Sequence, residues 1–126
     1  MSTPSYQISV RVKTAYLPEQ SDTAAAKHAF SYTIEITNHS DVSVQLLSRY
    51  WIITDGNGQE QHVKGPGVVG QKPHINAGAS FSYTSGCVLN TVVGVMQGRY
   101  QMIAEGGTHF EANIAPFRLA VPGALH

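Results

Sequence analysis

Apolar and polar residues alternate along much of this chain, and this pattern most strongly limits the folds open to it. Residues 7–13 and 29–37 carry an apolar side chain at every second position, namely Ile8, Val10, Val12, Phe30, Tyr32, Ile34 and Ile36. A period of two residues indicates a β-strand with one buried face. The only stretch that favours a helix, residues 22–27, is too short to be stable alone. The pattern therefore predicts a succession of strands.

Glycine-rich turns separate the strand-like segments. Two hairpins are predicted, one pairing residues 45–54 with 59–64 and one pairing 97–105 with 108–114. The first turns at Asp55-Gly56-Asn57-Gly58, where Asp-Gly and Asn-Gly tolerate the positive φ of tight hairpins. The second turns at Gly106-Gly107. Residues 80–85 form a further strand, and residues 117–121, between Pro116 and Pro122, suit an edge strand.

About seven short strands with glycine turns predict an all-β fold, an antiparallel β-sandwich of immunoglobulin or fibronectin type III shape. The single cysteine, Cys87, cannot form the internal disulfide of antibody domains, which favours the fibronectin type III-like variant. A length of 126 residues suits one domain with a core of its own. We therefore expect a single domain over residues 1–126 that folds without disulfides.

The charge balance limits the partners. Eight basic and eight acidic residues give a formal net charge of zero, whereas duplex nucleic acid and anionic membranes attract basic proteins. No apolar run approaches the ~20 residues that span a bilayer, and the first residues lack the features of a secretory signal. We expect a cytoplasmic protein that neither binds duplex nucleic acid nor inserts into a membrane.

The first arm of the first hairpin is apolar on both faces. Counting every second residue places Leu46, Tyr50 and Ile52 on one face and Leu47, Trp51 and Ile53 on the other. A sandwich strand normally buries one face, so the second needs a cover. We favour the chain's own segment 65–80, while a partner protein or a second copy remains an alternative. Leu47, Trp51 and Ile53 are therefore the candidate interaction surface.

Residues 65–70, Gly-Pro-Gly-Val-Val-Gly, match the G-x-G-x-x-G signature of phosphate-binding loops. Such a loop binds pyrophosphate where it opens a helix, because free backbone N–H groups and the helix dipole face the ligand. Here Pro73 and Gly78 follow too closely for a helix. The sequence thus favours a structural role, in which the glycines allow positive φ and Val68 and Val69 pack onto the sheet.

The binding alternative for this loop is a concave group of amide donors that holds a nucleotide with a pyrophosphate. The amides of residues 67–70 would face the anion, and two lysines would supply charge. The candidate ligand-binding residues are Lys64, Gly65, Gly67, Val68, Val69, Gly70 and Lys72.

Metal binding and catalysis have little support in the sequence. Glu60 and His62 share a strand face, and His74 follows the glycine loop, which makes these three the candidate ligands of a weak divalent site. The chain has no HExxH or CxxC motif. Cys87 lies in an apolar setting, where a free thiol is usually core filling. We expect no catalytic residue, no cofactor and no resident metal, and hence not an enzyme.

Several segments resemble the bacterial ApaG family. They are residues 16–21 (YLPEQS), 44–55 (VQLLSRYWIITD), 65–70 (GPGVVG), 81–86 (FSYTSG) and 96–100 (MQGRY). The resemblance implies a fibronectin type III-like sandwich whose biochemical role is unsettled and whose relatives are associated with cobalt tolerance and magnesium efflux. Related domains in a eukaryotic F-box protein and in a polymerase-delta-interacting protein imply protein binding.

Two hypotheses follow. The first is a non-enzymatic protein-interaction module that binds an unidentified partner protein through a sheet edge or through apolar surface near Trp51 and the glycine loop. The second is a small-ligand-binding protein that uses residues 65–70 for a nucleotide, or a weak binder of divalent metal.

Overall fold

Two antiparallel sheets pack face to face in the structure, a computed structural model that describes residues 6–124. The strands are β1 (Ile8–Tyr16), β2 (His28–Asn38), β3 (Val44–Asp55), β4 (Glu60–Pro66), β5 (His74–Ile75), β6 (Ser80–Leu89), β7 (Val93–Ala104) and β8 (His109–Ala120). The first sheet has the order β1-β2-β6. The second has the order β4-β3-β7-β8, with β5 beside the start of β3. This arrangement is a fibronectin type III-like sandwich and confirms the predicted fold class.

Short 3-10 turns are the helical elements between the first two strands. They span Pro18–Gln20 and Thr23–Ala25, and the Asp22 side chain caps the second by accepting a hydrogen bond from the Ala25 amide at 3.2 Å. Among residues 6–124, no helix combines the length and the apolar character that a bilayer crossing requires.

The core lies between the sheets. On β2, the four apolar residues predicted to face inward are all buried, namely Phe30, Tyr32, Ile34 and Ile36. The opposite sheet presents Trp51, whose ring meets the Tyr32 ring edge-on at a centroid distance of 5.5 Å. Burial of apolar and aromatic surface is the main force that holds the two sheets together.

A β-bulge at Leu47 changes which residues of β3 share a face. Leu46 pairs with Met102 of β7 while Ser48 pairs with Gln101, so Leu47 is an extra residue in the ladder. A bulge shifts the alternation by one residue. The predicted faces were therefore wrong: Leu46 faces the core together with Trp51, whereas Leu47 lies on the outer face near Tyr50.

The segment over residues 65–80 packs on the inner side of β3 rather than over its outer face. Val68 and Ile75 from this segment are each 1 % exposed and belong to the core between the sheets. The Gly67 amide donates to the Leu47 carbonyl at 2.8 Å, and the Leu46 amide donates to the Pro73 carbonyl at 3.0 Å. The outer face of β3 stays partly exposed.

Both predicted hairpins form, with one difference at the last strand. The segment over residues 117–121 is not a separate strand, because β8 continues through Pro116 to Ala120. Met96 of β7 pairs with Phe117 and Gly98 pairs with Ile114, so two residues of β8 lie opposite one of β7. This bulge accommodates Pro116, which has no amide to donate. The predicted edge position of this segment is confirmed by the strand order.

The two long sides of the sandwich differ. On one side the edge strands β1 and β8 contact each other, and the ring of Tyr6 stacks on that of Phe110 at 4.5 Å. On the other side the edge strands β4 and β6 stand apart, and residues of both line a series of cavities. The sandwich is thus closed on one side and open on the other.

Candidate functional site

The glycine loop ends in a two-residue hairpin at one end of the open side. The Val68 amide donates to the Gln71 carbonyl at 2.8 Å, and the Gln71 amide donates back to the Val68 carbonyl at 2.9 Å. The two central residues, Val69 and Gly70, have φ values of 42° and 79°. Positive φ at both positions is the requirement of a type I′ turn. A turn, and not a helix, follows the G-x-G-x-x-G motif.

Steric contacts explain the first two glycines of the motif. A Cβ on Gly65 would lie 2.9 Å from both Nη1 and Nη2 of Arg49, its partner across the ladder. A Cβ on Gly67 would lie 2.2 Å from the Gln71 carbonyl oxygen, and Gly67 also has a φ of 59°. These glycines therefore give room to an arginine and to a turn.

The amides of the predicted anion site are partly occupied. Those of Gly67 and Val68 already donate to backbone carbonyls, so of the four predicted amide donors only Val69 and Gly70 have no backbone acceptor among the described residues. The two valines also differ, since Val68 is buried and Val69 is 51 % exposed. The expectation that Val69 packs onto the sheet was wrong, because it sits at the tip of the turn. The nucleotide hypothesis stays a prediction.

Two lysines of the predicted ligand site, Lys64 and Lys72, line a separate surface on the outer face of β3. The Lys64 Nζ lies 5.0 Å from the centre of the Tyr50 ring. The guanidinium of Arg99, a residue of β7, lies 4.4 Å from the same ring centre. Arg99 also pairs with Glu111 at 2.9 Å. The structure thus divides the predicted ligand-binding residues between the glycine loop and this outer face.

The candidate metal ligands are divided as well. His62 Nε2 lies 3.1 Å from Glu60 Oε1, and the other ring nitrogen of His62 contacts the Tyr50 hydroxyl. His74 pairs with Gln45, seven residues along β3 from Ile52, the partner of His62. Because the bulge at Leu47 leaves six paired steps between these positions, that separation is about 20 Å at ~3.3 Å per residue. Among residues 6–124, no three His, Cys, Asp or Glu side chains are grouped so as to hold a metal ion.

A groove runs along the open side between β4 and β6, and we refer to it as the edge groove. It comprises two cavities of about 310 and 340 Å³ that share Tyr32, Arg49, Trp51 and Ser85. Val63 of β4 and Cys87 of β6 line the first, and the tip of the glycine loop lines the second. Both volumes are near the lower end of the roughly 300–1,000 Å³ of ligand sites.

The predicted interaction residues have different positions relative to this groove. Trp51 is 2 % exposed and forms part of the groove floor rather than a surface patch. Ile53 also lines the groove, where the first cavity meets a third of about 140 Å³. Leu47 lies on the opposite face because of the bulge. Two of the three residues are therefore brought together.

Arg49 is the charged residue that lines both cavities of the edge groove, and the sequence analysis did not select it. It also borders the surface on the outer face of β3 that the two lysines line. Its Nη1 donates to the carbonyls of Pro66 at 3.0 Å and Gly67 at 2.9 Å. No carboxylate lies within 4.0 Å of its guanidinium among the described residues. The signal was present in the sequence, since Arg49 has the same alternation as Trp51 and Ile53.

The other polar groups of the groove are neutral. The Tyr83 and Tyr100 hydroxyls share a hydrogen bond of 2.5 Å in the core. Burial raises the pKa of both phenols, and burial likewise raises the pKa of Tyr32. Burial also raises the pKa of the Cys87 thiol, which disfavours the thiolate that would act as a nucleophile. The groove therefore combines an apolar floor, neutral hydroxyls and one cation.

Comparison with known proteins identifies the family. A family model described as the ApaG domain matches residues 18–104. The chain is 60 % identical to Protein ApaG of Ectopseudomonas mendocina (strain ymp) and 58 % identical to Protein ApaG of Pseudomonas putida (strain F1), each over 126 residues and all of both chains.

The crystal structure of the putative ApaA protein from Bordetella pertussis superposes with a TM-score of 0.91 at 47 % identity, covering 94 % of this chain and 97 % of that one. An X-ray structure of a Northeast Structural Genomics Consortium target gives a TM-score of 0.90 at 50 % identity, covering 94 % and 90 %. The chain belongs to the ApaG domain family.

Proposed function

We propose that this domain is a non-enzymatic protein-interaction module that binds an extended segment of another protein in the edge groove. The observation that carries the proposal is the open side itself. Two free strand edges, β4 and β6, flank a groove whose floor is formed by core residues such as Trp51 and Met96. A free edge offers backbone N–H and C=O groups, and a groove beside it offers room for alternate side chains.

The details of both edges support this mode of binding. Within the described residues, β4 hydrogen-bonds only to β3 and β6 only to β2, so each strand has one unpaired edge. Val88 on β6 is 58 % exposed at the rim of the groove. An extended segment laid between the edges would bury this valine and pair with backbone groups that water now solvates.

The proposal also explains how the domain could take part in cobalt tolerance and magnesium efflux, with which the family is associated. In this proposal the domain acts on ion balance through the protein that it binds, in the cytoplasm, and it performs no chemistry on the ion. Burial raises the pKa of Cys87, the one cysteine of the chain, which argues against a thiolate nucleophile in the groove.

Selection of binding peptides tests this function. A random dodecapeptide display library is selected on the full-length domain, and a selected peptide is titrated into ¹⁵N-labelled protein. We expect amide shifts concentrated on β4, β6 and the tip of the glycine loop. Selection of no peptide, or shifts confined to the outer face around Tyr50, would contradict the proposal.

A matched pair of valine variants sharpens the test. Val88→Glu removes apolar surface and places a carboxylate at the groove rim, and it should weaken the selected peptide at least tenfold, about 1.4 kcal/mol. Val95→Glu is the control, because Val95 is also an exposed valine, 37 % accessible, but lies on β7 away from the groove. Equal affinities of the two variants would argue against the groove.

A further inference from the structure

The two cavities of the edge groove are lined by one charged side chain, and no carboxylate of the described residues lies within 4.0 Å of it. Arg49 is the only Asp, Glu, Lys or Arg side chain among the residues that line the two cavities of the edge groove. Its Nη1 contacts two carbonyls, while Nε and Nη2 have no hydrogen-bond partner among residues 6–124. We propose that the segment bound in the groove is acidic, with an Asp or Glu carboxylate that pairs with Arg49. This inference rests on the proposed function and specifies its ligand.

The position of Arg49 supports a ligand role in addition to its structural one. The guanidinium lies over Gly65, so the absence of a side chain there gives it access to the groove. Its anchoring to the Pro66 and Gly67 carbonyls limits its rotamers before any ligand binds. An arginine held in place in this way loses little side-chain entropy when a carboxylate pairs with its free N–H groups.

The surroundings of Arg49 favour a carboxylate over a neutral group. The floor beside it is apolar, with Trp51 and Met96, so a bound segment would exclude water from the guanidinium. A charge that loses its water needs an opposite charge or hydrogen-bond acceptors in return. The nearby hydroxyls of Tyr32 and Ser85 are neutral donors that can add hydrogen bonds to the same carboxylate.

The ladder geometry also predicts the spacing of the ligand. Arg49, Trp51 and Ile53 face the groove at every second residue, about 6.6 Å apart. An extended peptide has the same period, so its carboxylate and an apolar side chain should be two residues apart. The predicted motif is an acid and an apolar residue at positions i and i+2, in either order.

The display selection described above tests this motif directly. Peptides selected on the domain should be enriched in Asp or Glu two positions from an apolar residue. For a selected synthetic peptide, replacement of the acid by its amide should weaken binding at least tenfold in calorimetry. This step uses the wild-type domain, so it does not depend on the folding of any variant.

Two protein variants then assign the contact to Arg49. Arg49→Met should remove the preference between the acidic peptide and its amide version, and Gly65→Ala, which displaces the guanidinium, should reduce that preference. Arg118→Met is the control and should leave both affinities unchanged, because Arg118 is exposed on β8 at the other edge of the sheet. A preference for the acid that persists in Arg49→Met would overturn the inference.

The outcomes separate the two proposals. Peptides that map to the groove but bind equally well as acid and amide would overturn the acidic ligand and leave the interaction module in place. Peptides that map elsewhere, or none at all, would overturn both.

Discussion

Replacing Gly67 by alanine should destabilise the domain much more than the same replacement at Gly70. Both residues have positive φ, 59° and 79°, and this conformation costs alanine about 1–2 kcal/mol. For Gly70 the cost ends there, because no atom lies within 4 Å of an added Cβ. For Gly67 the Cβ would lie 2.2 Å from the Gln71 carbonyl oxygen, so the turn itself must open.

The extra cost at Gly67 follows from what the turn holds. Opening it breaks the two hydrogen bonds between Val68 and Gln71, worth about 1 kcal/mol each. It also withdraws Val68 from the core, where a fully buried valine contributes roughly 1.5–3 kcal/mol. Together with the cost of the positive φ, we therefore expect a loss of about 4.5–7 kcal/mol for Gly67→Ala against about 1–2 kcal/mol for Gly70→Ala.

Urea unfolding followed by the fluorescence of Trp51, the single tryptophan, measures both losses. Gly65→Ala adds a third comparison, since its Cβ meets the movable end of Arg49 and should cost less than Gly67→Ala. Equal losses at Gly67 and Gly70 would refute the view that the motif's glycines serve the turn.

Three further predictions follow from the same structure. Val69→Asn should stabilise the domain by about 0.5–1 kcal/mol in urea unfolding, because asparagine tolerates the positive φ that strains an exposed valine. Tyr83→Phe should cost about 1–3 kcal/mol, because it leaves the buried Tyr100 hydroxyl unpaired, and adding Tyr100→Phe should recover part of this loss. The free energy of unfolding should fall as the pH rises above about 10. Burial raises the folded-state pKa values of Tyr83 and Tyr100 above the unfolded value of 10.0. The resulting contribution to stability is therefore complete below pH 10 and is lost as the pH rises toward the folded-state pKa values. A phenolate absorbance titration in which these buried tyrosines ionise like exposed ones would contradict the last prediction.

Alternation and turn chemistry were enough to predict the fold. The period of two on β2 identified its buried face, and Asp-Gly with Asn-Gly located the first hairpin, because both signals are local. These local signals could not predict the bulge at Leu47. It depends on how β3 aligns with β7 across the sheet, and a single extra residue moved Leu46 to the opposite face from the one counted.

The site was only partly predictable for a related reason. Trp51, Ile53 and the glycine loop were selected from their sequence pattern, and the structure brings them to the same groove. Arg49 was overlooked because its significance depends on what surrounds it, namely Gly65 across the ladder and the gap between β4 and β6. His62 and His74 suggested a joint site by composition, but the strand register separates them.

Modification of Cys87 most directly measures whether the edge groove is where a partner binds. This residue is the single cysteine of the chain and lines the groove beside Trp51. We expect a saturating selected peptide to slow the reaction of Cys87 with a thiol reagent at least tenfold, since the bound segment covers the thiol. An unchanged rate at saturation would show that the peptide binds elsewhere and would contradict the assignment of the open side as the binding surface.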